Sequence, residues 1–257
     1  MLILLSPAKT LDYESDSRVP DPTEPALLSE SVKLAEILKK KTPKQLGALM
    51  GISDDLAMLN HTRYQEWSMP MPDSGTRPSI LAFQGDVYQG LDAASLTAKQ
   101  LSYAQDHLRI LSGLYGILRP FDLMLPYRLE MGTKLKNRRG ADLYAFWGDR
   151  ITSLIVEQLE SLQAKTLLNL ASNEYFRSVK PKQVSVPIIS PVFKDFSNGN
   201  YRIISFFAKK ARGTMARWVI RNRVKTVKKL EQFDGDGYRY DPDASTPAKP
   251  VFLRRAE

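Results

Sequence analysis

Apolar positions along the chain form two patterns, short unbroken runs that predict strands and spaced sets that predict helices. Leu2–Leu5 is an unbroken run closed by Ser6-Pro7 and reads as a buried first strand. Leu108–Leu111 and Thr166–Leu170 are further strands, and Ser79–Phe83 is a short buried-strand candidate. Val32, Ala35 and Leu38 share one side of a helix over Ser29–Lys40. Thr42-Pro43 opens a second helix, with threonine as the N-cap and proline at the first helical position, and a third follows Ser53. Thr97 caps a helix that runs to His107, Asp142–Leu162 reads as one long amphipathic helix, and Ser172 caps a short one. Glu14–Pro25 and Trp67–Pro78 contain prolines and polar residues and read as connections. Val184–Phe196 and Tyr201–Phe207 flank Ser197-Asn198-Gly199-Asn200, a strong hairpin signal. A helix from near Ala208 to near Val224 follows directly, and Pro250–Leu253 is the last strand. Interspersed helices and strands with one antiparallel hairpin predict a mixed α/β (α+β) fold. The expected organisation is one domain over residues 1–257, with a helical subregion at about 28–67.

Charge changes this picture at one place. Lys209–Lys229 carries nine cations and no acid, while the whole chain has 37 Lys+Arg against 28 Asp+Glu, a net of +9. Without that segment the rest is formally neutral. A concentrated excess attracts a polyanion far better than a scattered one. Ala211, Met215, Trp218 and Val219 form an apolar stripe on this helix, and Lys210, Arg217 and Arg221 share the opposite, exposed face. That face reads as a phosphate-contacting ridge, extended by Lys209 and Arg212.

Composition excludes several chemistries. The chain has no cysteine and only two histidines, His61 and His107. Disulfides, a thiol switch and Cys-ligated clusters are ruled out, and no metal site or cofactor is expected. An iron site would have to be built from carboxylates, and no ligand set stands out. No apolar run is long enough to span a membrane. The start MLILL lacks a basic flank and is too short for a signal peptide, so the cytoplasm is the default compartment.

Two further segments carry candidate chemistry. Leu46-Gly47-Ala48-Leu49-Met50-Gly51-Ile52-Ser53-Asp54-Asp55-Leu56-Ala57 resembles a helix-hairpin-helix DNA-binding motif, whose hairpin amides hold a phosphate. Gly51, Ile52 and Ala57 fit that pattern, Ser53 replaces its second glycine, and Lys44 and Arg63 would offset Asp54 and Asp55. Leu108–Tyr127 has glycines that permit close backbone approach, but no dinucleotide or P-loop spacing. Ser112, Tyr115, Arg119, Tyr127 and Arg128 would be unusual as pure core, and with Lys9 and Lys209 they make a candidate pocket. No catalytic triad is visible, and the catalytic residues of any enzyme here are unknown.

Six segments together are more specific than any single motif: LILLSPAKTLDY (2–13), FQGDVYQGL (83–91), LRILSGLYGILRPFDLMLPYRLEMG (108–132), DLYAFWGD (142–149), NLASNEYFRSVKP (169–181) and ISFFAKKARGTMARW (204–218). They resemble the bacterial YaaA family of peroxide stress resistance. That resemblance implies a cytoplasmic protein of the hydrogen-peroxide response that limits damage from unincorporated iron. It also implies DNA binding, an unusual mixed fold with a positively charged cleft, and a helix-hairpin-helix element. The expectation is therefore a monomeric, sequence-independent binder of double-stranded or structured DNA. Its phosphate contacts would come from Lys9, Lys44, Arg63, Lys209, Lys210, Arg212, Arg217 and Arg221, and its hairpin amides from Gly51, Ile52 and Ser53. RNA would be attracted by the same charge. The alternative is an enzyme acting on a small anionic or nucleotide-like substrate in a basic cleft.

Overall fold

Residues 2–5 carry no polar side chain, so the strand they form can be covered on both faces, and it sits in the middle of a sheet. The computed structural model describes residues 1–15, 19–72 and 74–255. Residues 16–18, inside the predicted connection 14–25, and residue 73, inside 67–78, lie outside the described residues, as do 256 and 257.

The main sheet uses β1 (Leu2–Leu5), β2 (Leu108–Ser112), β3 (Gly116–Leu118), β4 (Leu167–Asn169) and β5 (Ile188–Ile189), in the order β3-β2-β1-β4-β5. Strand β1 is parallel to β2, with Ile3 opposite Leu108, and parallel to β4, with Leu2 opposite Leu167. Strand β5 is parallel to β4, and β3 returns antiparallel to β2 as a hairpin. A second sheet uses β6 (Val192–Ser197), β7 (Asn200–Arg202), β8 (Arg239–Thr246) and β9 (Lys249–Arg254), in the order β7-β6-β9-β8. Its first hairpin turns at Asn198-Gly199, both at positive φ (52° and 82°), as a two-residue loop that follows the strand twist requires. One hydrophobic cluster runs through both sheets and the helices, giving the mixed α/β architecture that the pattern predicts.

The helices that matter below are α1 (Leu28–Lys39), α2 (Pro43–Met50), α3 (Asp54–Glu66), α4 (Asp86–Leu91), α5 (Ala98–His107), α6 (Arg150–Ser161) and α7 (Ser205–Asn222). Thr42 and Thr97 each cap their helix reciprocally with a glutamine three residues on, Gln45 and Gln100.

Some sequence expectations fail. Ser79–Ala82 is a helical turn, and only Phe83–Gln84 beyond it is extended. The Ser79 and Ile80 amides, orphaned at the start of that turn, donate to the carbonyls of Asp122 and Pro120 at 2.9 and 3.1 Å. The predicted helix 142–162 is two helices, Leu143–Trp147 and α6, broken at Gly148 (φ 54°, ψ −118°), a conformation that favours glycine. Trp147, at the break, donates its indole N–H to the Gly113 carbonyl at 3.1 Å.

Helix α7 is held against α4 at unusually close range. A methyl group at Gly213 would lie 1.7 Å from the Val87 carbonyl oxygen, and one at Gly90 would lie 2.2 Å from that of Lys210. The two glycines let the helix backbones touch, which fixes where the polar side of α7 points.

Candidate functional site

Strand β1 marks a switch point in the main sheet. The next strand in sequence, β2, lies on one side of it, whereas β4 lies on the other side and continues outward to β5. The connections leaving β1 and β4 therefore diverge, and a crevice opens beyond their carboxyl ends, where ligands of open parallel sheets bind. Ser6 follows β1, Ser172 follows β4, and the Ser172 amide donates to Ser6 Oγ at 2.8 Å across the gap. Above this contact lies a cavity of about 430 Å³, whose polar lining includes Ser6, Lys9, Asp86, Glu130, Ser172, Glu174, Lys209 and Arg212.

Each of these side chains is placed by a local device. Gly85, at φ 117°, turns the chain into α4 and sets Asp86 on the rim. Ser172 caps the turn 173–176 by accepting from the Tyr175 amide, and Glu174 then accepts from the Gly132 amide at 2.9 Å. Tyr144 donates its hydroxyl proton to the Glu174 carbonyl at 2.9 Å and braces the same turn. Glu130 sits between two cations, Lys9 at 2.9 Å and Arg128 at 3.3 Å. Lys209 and Arg212, three residues apart on α7, reach the cavity because the glycine contact holds that face toward α4.

Charge within the cavity is separated. Among the described residues, neither Lys209 nor Arg212 makes an ion pair or a side-chain hydrogen bond. Arg212 is half-buried, and the desolvation holds its guanidinium pKa below the ordinary value. Burial acts on Tyr175 in the opposite sense, raising its phenol, with the nearby carboxylates of Glu174 and Glu130 adding to the effect. Among the described residues no group of three or more His, Asp or Glu side chains is arranged to hold a metal ion.

The predicted ridge on α7 is dispersed. Ala211, Met215 and Val219 face the core as expected, and Trp218 packs edge-on against Phe233. Lys210 faces Asp236 at 3.9 Å, and Arg217 pairs with Asp92 at 3.0 Å while donating to Ser95 Oγ at 2.6 Å. Helix α7 packs beside α4 and the 235–237 turn, and both neighbours bring acids that a helical wheel cannot show. Arg221 alone of the predicted face is exposed and has no partner among the described residues.

The segment 42–66 does form two helices around a turn, with Gly51 in the left-handed region at φ 61°. The Gly51 and Ile52 amides both donate to the Gly47 carbonyl, which satisfies the C-terminus of α2 and occupies two amides predicted to hold a phosphate. Ser53 is exposed and is the N-cap position of α3, without a side-chain cap. Lys44 is exposed on α2. Arg63 lies at the far end of α3, about 14 Å along the axis from Asp54, and is half-buried beside Tyr13 and Tyr64, so it does not flank the turn.

The predicted pocket of hydroxyls and arginines is replaced by a packed polar network. Ser112 and Tyr115 are wholly buried, Tyr127 nearly so, and none of them lines the cavity. Ser112 Oγ lies 2.6 Å from the Tyr127 hydroxyl and accepts from the Tyr115 amide at 2.9 Å. The Tyr115 hydroxyl accepts from Trp67 Nε1 and from the Leu125 amide, both at 3.0 Å. Arg119 pairs with Asp122 at 2.9 Å and lines a separate hollow with Arg109, and Arg128 pairs with Glu130. Of the residues expected in that pocket, only Lys9 and Lys209 reach the cavity.

A second basic surface escapes the sequence pattern. Lys33, Lys40, Lys136, Arg138 and Arg139 line a surface groove of about 660 Å³ between α1 and the 136–139 segment, and Glu36 is the one acid in that lining. Glu30 pairs with Arg139 and with Lys33 at 2.6 and 2.8 Å, and these contacts, led by the hydrogen bond from Arg139, hold its carboxyl at about 2. Lys40, Lys136 and Arg138 are exposed and have no partner among the described residues. The signal that could have found Lys136 and Arg138 is KLKNRR, four cations in six residues at 134–139.

Comparison with known proteins bears on the whole chain. A family model described as peroxide stress protein YaaA matches residues 1–244. A UPF0246 protein of Teredinibacter turnerae is 51% identical over 255 residues, covering 99% of this chain and 100% of the relative. One from Saccharophagus degradans is 53% identical over 255 residues with the same coverage. One from Aliivibrio fischeri strain ES114 is 52% identical over 257 residues, covering 100% of this chain and 99% of the relative.

Proposed function

The chain belongs to the peroxide stress protein YaaA family, and from that membership we propose that it acts in the cytoplasm by binding the backbone of duplex DNA without sequence preference, shielding it from iron-driven radical damage. The observation that carries this reading is the groove beside α1. Lys40, Lys136 and Arg138 stand exposed there with their charge uncompensated, on a surface open to solvent. Cations in that state release condensed counterions when they meet phosphate, which gives affinity without base readout. Lys41 and Lys44 continue the positive surface from the end of α1 into α2, toward the Gly51-Ile52-Ser53 turn. Asp54 and Asp55 stand exposed past that turn, so lysine contacts rather than hairpin amides supply the attraction.

The test is binding of a short duplex across a salt series. Micromolar affinity with a steep logarithmic salt dependence is expected, and it should be the same for unrelated sequences. Changing Lys40, Lys136 and Arg138 together to glutamate should weaken binding and flatten the slope by about 0.9 for each phosphate that is no longer neutralised. A triple variant that binds as tightly as the wild type with the same slope would remove the groove from the reading. For the iron-linked role, the wild-type protein should reduce nicking of supercoiled plasmid by ferrous iron and peroxide, and the triple variant should not.

A further inference from the structure

We propose that the cavity at the carboxyl ends of β1 and β4 is a binding site for a small phosphomonoester bearing free hydroxyls, of the class of a sugar phosphate or a nucleoside monophosphate. This goes beyond DNA binding, since the groove beside α1 and this cavity have no lining residue in common.

Three observations carry the assignment. The first is position, because the cavity occupies the switch point of a mostly parallel sheet. The second is convergence. Five stretches far apart in sequence supply charged lining residues: Lys9, Asp86, Glu130, Glu174 and Arg212. Tyr144, from a further stretch, supports the wall through the Glu174 carbonyl. The third is the state of Arg212, which lines the cavity half-buried and makes no ion pair or hydrogen bond through its side chain among the described residues. A half-buried guanidinium without a partner has part of its desolvation cost unrepaid, and an arginine fork that faces a cavity in this state suits an anion.

The rest of the lining narrows the ligand. Lys209 and Arg212 present two positive charges that make no ion pair among the described residues, which match the near-dianion of a phosphomonoester better than the single charge of a carboxylate. Asp86, Glu130 and Glu174 accept hydrogen bonds and repel further negative charge, so they suit hydroxyl groups and disfavour a polyphosphate. A volume of about 430 Å³ exceeds what inorganic phosphate fills and falls in the range of small-ligand sites.

Calorimetric titration of the full chain without DNA, at low ionic strength, tests the assignment with four probes: ribose 5-phosphate, adenosine monophosphate, inorganic phosphate and ribose. One-to-one binding of at least one of the two phosphomonoesters is expected, at least tenfold tighter than inorganic phosphate and with none for ribose. Arg212→Gln should weaken it tenfold or more. Lys209 is exposed, so Lys209→Ala keeps the fold and should still weaken binding severalfold. No binding by either phosphomonoester, or binding unchanged in Lys209→Ala, would overturn the proposal. Equal affinity for inorganic phosphate would also overturn it, since the carboxylate wall would then read nothing. A 5′-phosphorylated DNA hairpin that binds more tightly than the small esters, with an advantage abolished by Lys209→Ala, would assign the cavity to a strand end instead.

Discussion

Gly213 and Gly47 are both helical glycines, and replacing each with alanine should move stability in opposite directions. Helix propensity alone favours alanine at both by about 1 kcal/mol. At Gly213 the new methyl would sit 1.7 Å from the Val87 carbonyl oxygen and 2.8 Å from the Leu91 amide nitrogen. Both atoms are backbone and cannot swing aside, so α7 and α4 must part by about 1.5 Å to restore ordinary contact. Overpacking costs about 1–3 kcal/mol, and a rigid contact this short belongs at the upper end. Subtracting the propensity gain leaves a net loss of about 2 kcal/mol. At Gly47 the methyl would meet Ala57 Cβ at 3.5 Å and the Ile52 carbonyl at 3.6 Å, which is ordinary contact, so roughly 0.5–1 kcal/mol of the propensity gain survives. Urea unfolding followed by far-UV circular dichroism reads both as shifts of the midpoint at constant slope. The corresponding change in Tm is a fall of about 4–8 °C for Gly213→Ala and a rise of a few degrees for Gly47→Ala. A Gly213→Ala protein as stable as the wild type would refute the argument that this glycine is required by helix contact.

Three further outcomes follow from buried groups. Tyr115→Phe should cost about 2–4 kcal/mol in unfolding experiments, because Trp67 Nε1 and the Leu125 amide lose their acceptor, while DNA affinity stays unchanged. Asp195 accepts from the Tyr238 hydroxyl at 2.8 Å and from Arg254 Nε at 2.6 Å, so Asp195→Ala should cost about 3 kcal/mol by thermal denaturation. Adding Arg254→Met to that variant should cost less than the sum of the two single changes. Burial holds the His107 imidazole below its ordinary value of 6.5. The unfolded chain then takes up a proton that the folded chain refuses, so stability is level above about pH 6.5 and falls as pH drops from there toward the folded value. Urea midpoints measured from pH 8 to 5 should show this fall in the wild type and a reduced fall in His107→Gln.

What can be read from the sequence is whatever one segment decides by itself. Thr42, Thr97 and Ser172 cap helices through amides three residues away, and Asn198-Gly199 closes a hairpin on its own dihedral preferences. Leu2–Leu5 announces a strand through unbroken hydrophobicity. The failures share a cause, which is a partner distant in sequence. Ser112, Tyr115 and Tyr127 look too polar for a core because a sequence cannot show that they satisfy one another and Trp67. Lys210 and Arg217 look free because Asp236 and Asp92 lie on other elements. Arg212 is charged and unpaired, as its sequence context suggests, but its direction depends on the Gly213 contact with α4, so an inward-facing cation reads as part of a surface ridge. Glu130, Glu174 and Asp86 sit within the family-like segments and give no signal of their own, because no two of them are close in sequence.

The central place of β1 also governs how the molecule comes to exist. This strand precedes both of its partners in the chain, and its two ladders close over loops of about a hundred and about a hundred and sixty residues, reaching Leu108 and Leu167. Long-range parallel pairing of this kind is slow. A nascent chain therefore holds an apolar, β-prone LILL segment that lacks its first sheet partner until residue 108 and its second until residue 167 have been synthesised. Once assembled, the same strand is enclosed on both edges and both faces, so its amides belong to the last part of the molecule to exchange with solvent. A segment left unpaired during synthesis thus becomes a fully enclosed one in the finished protein.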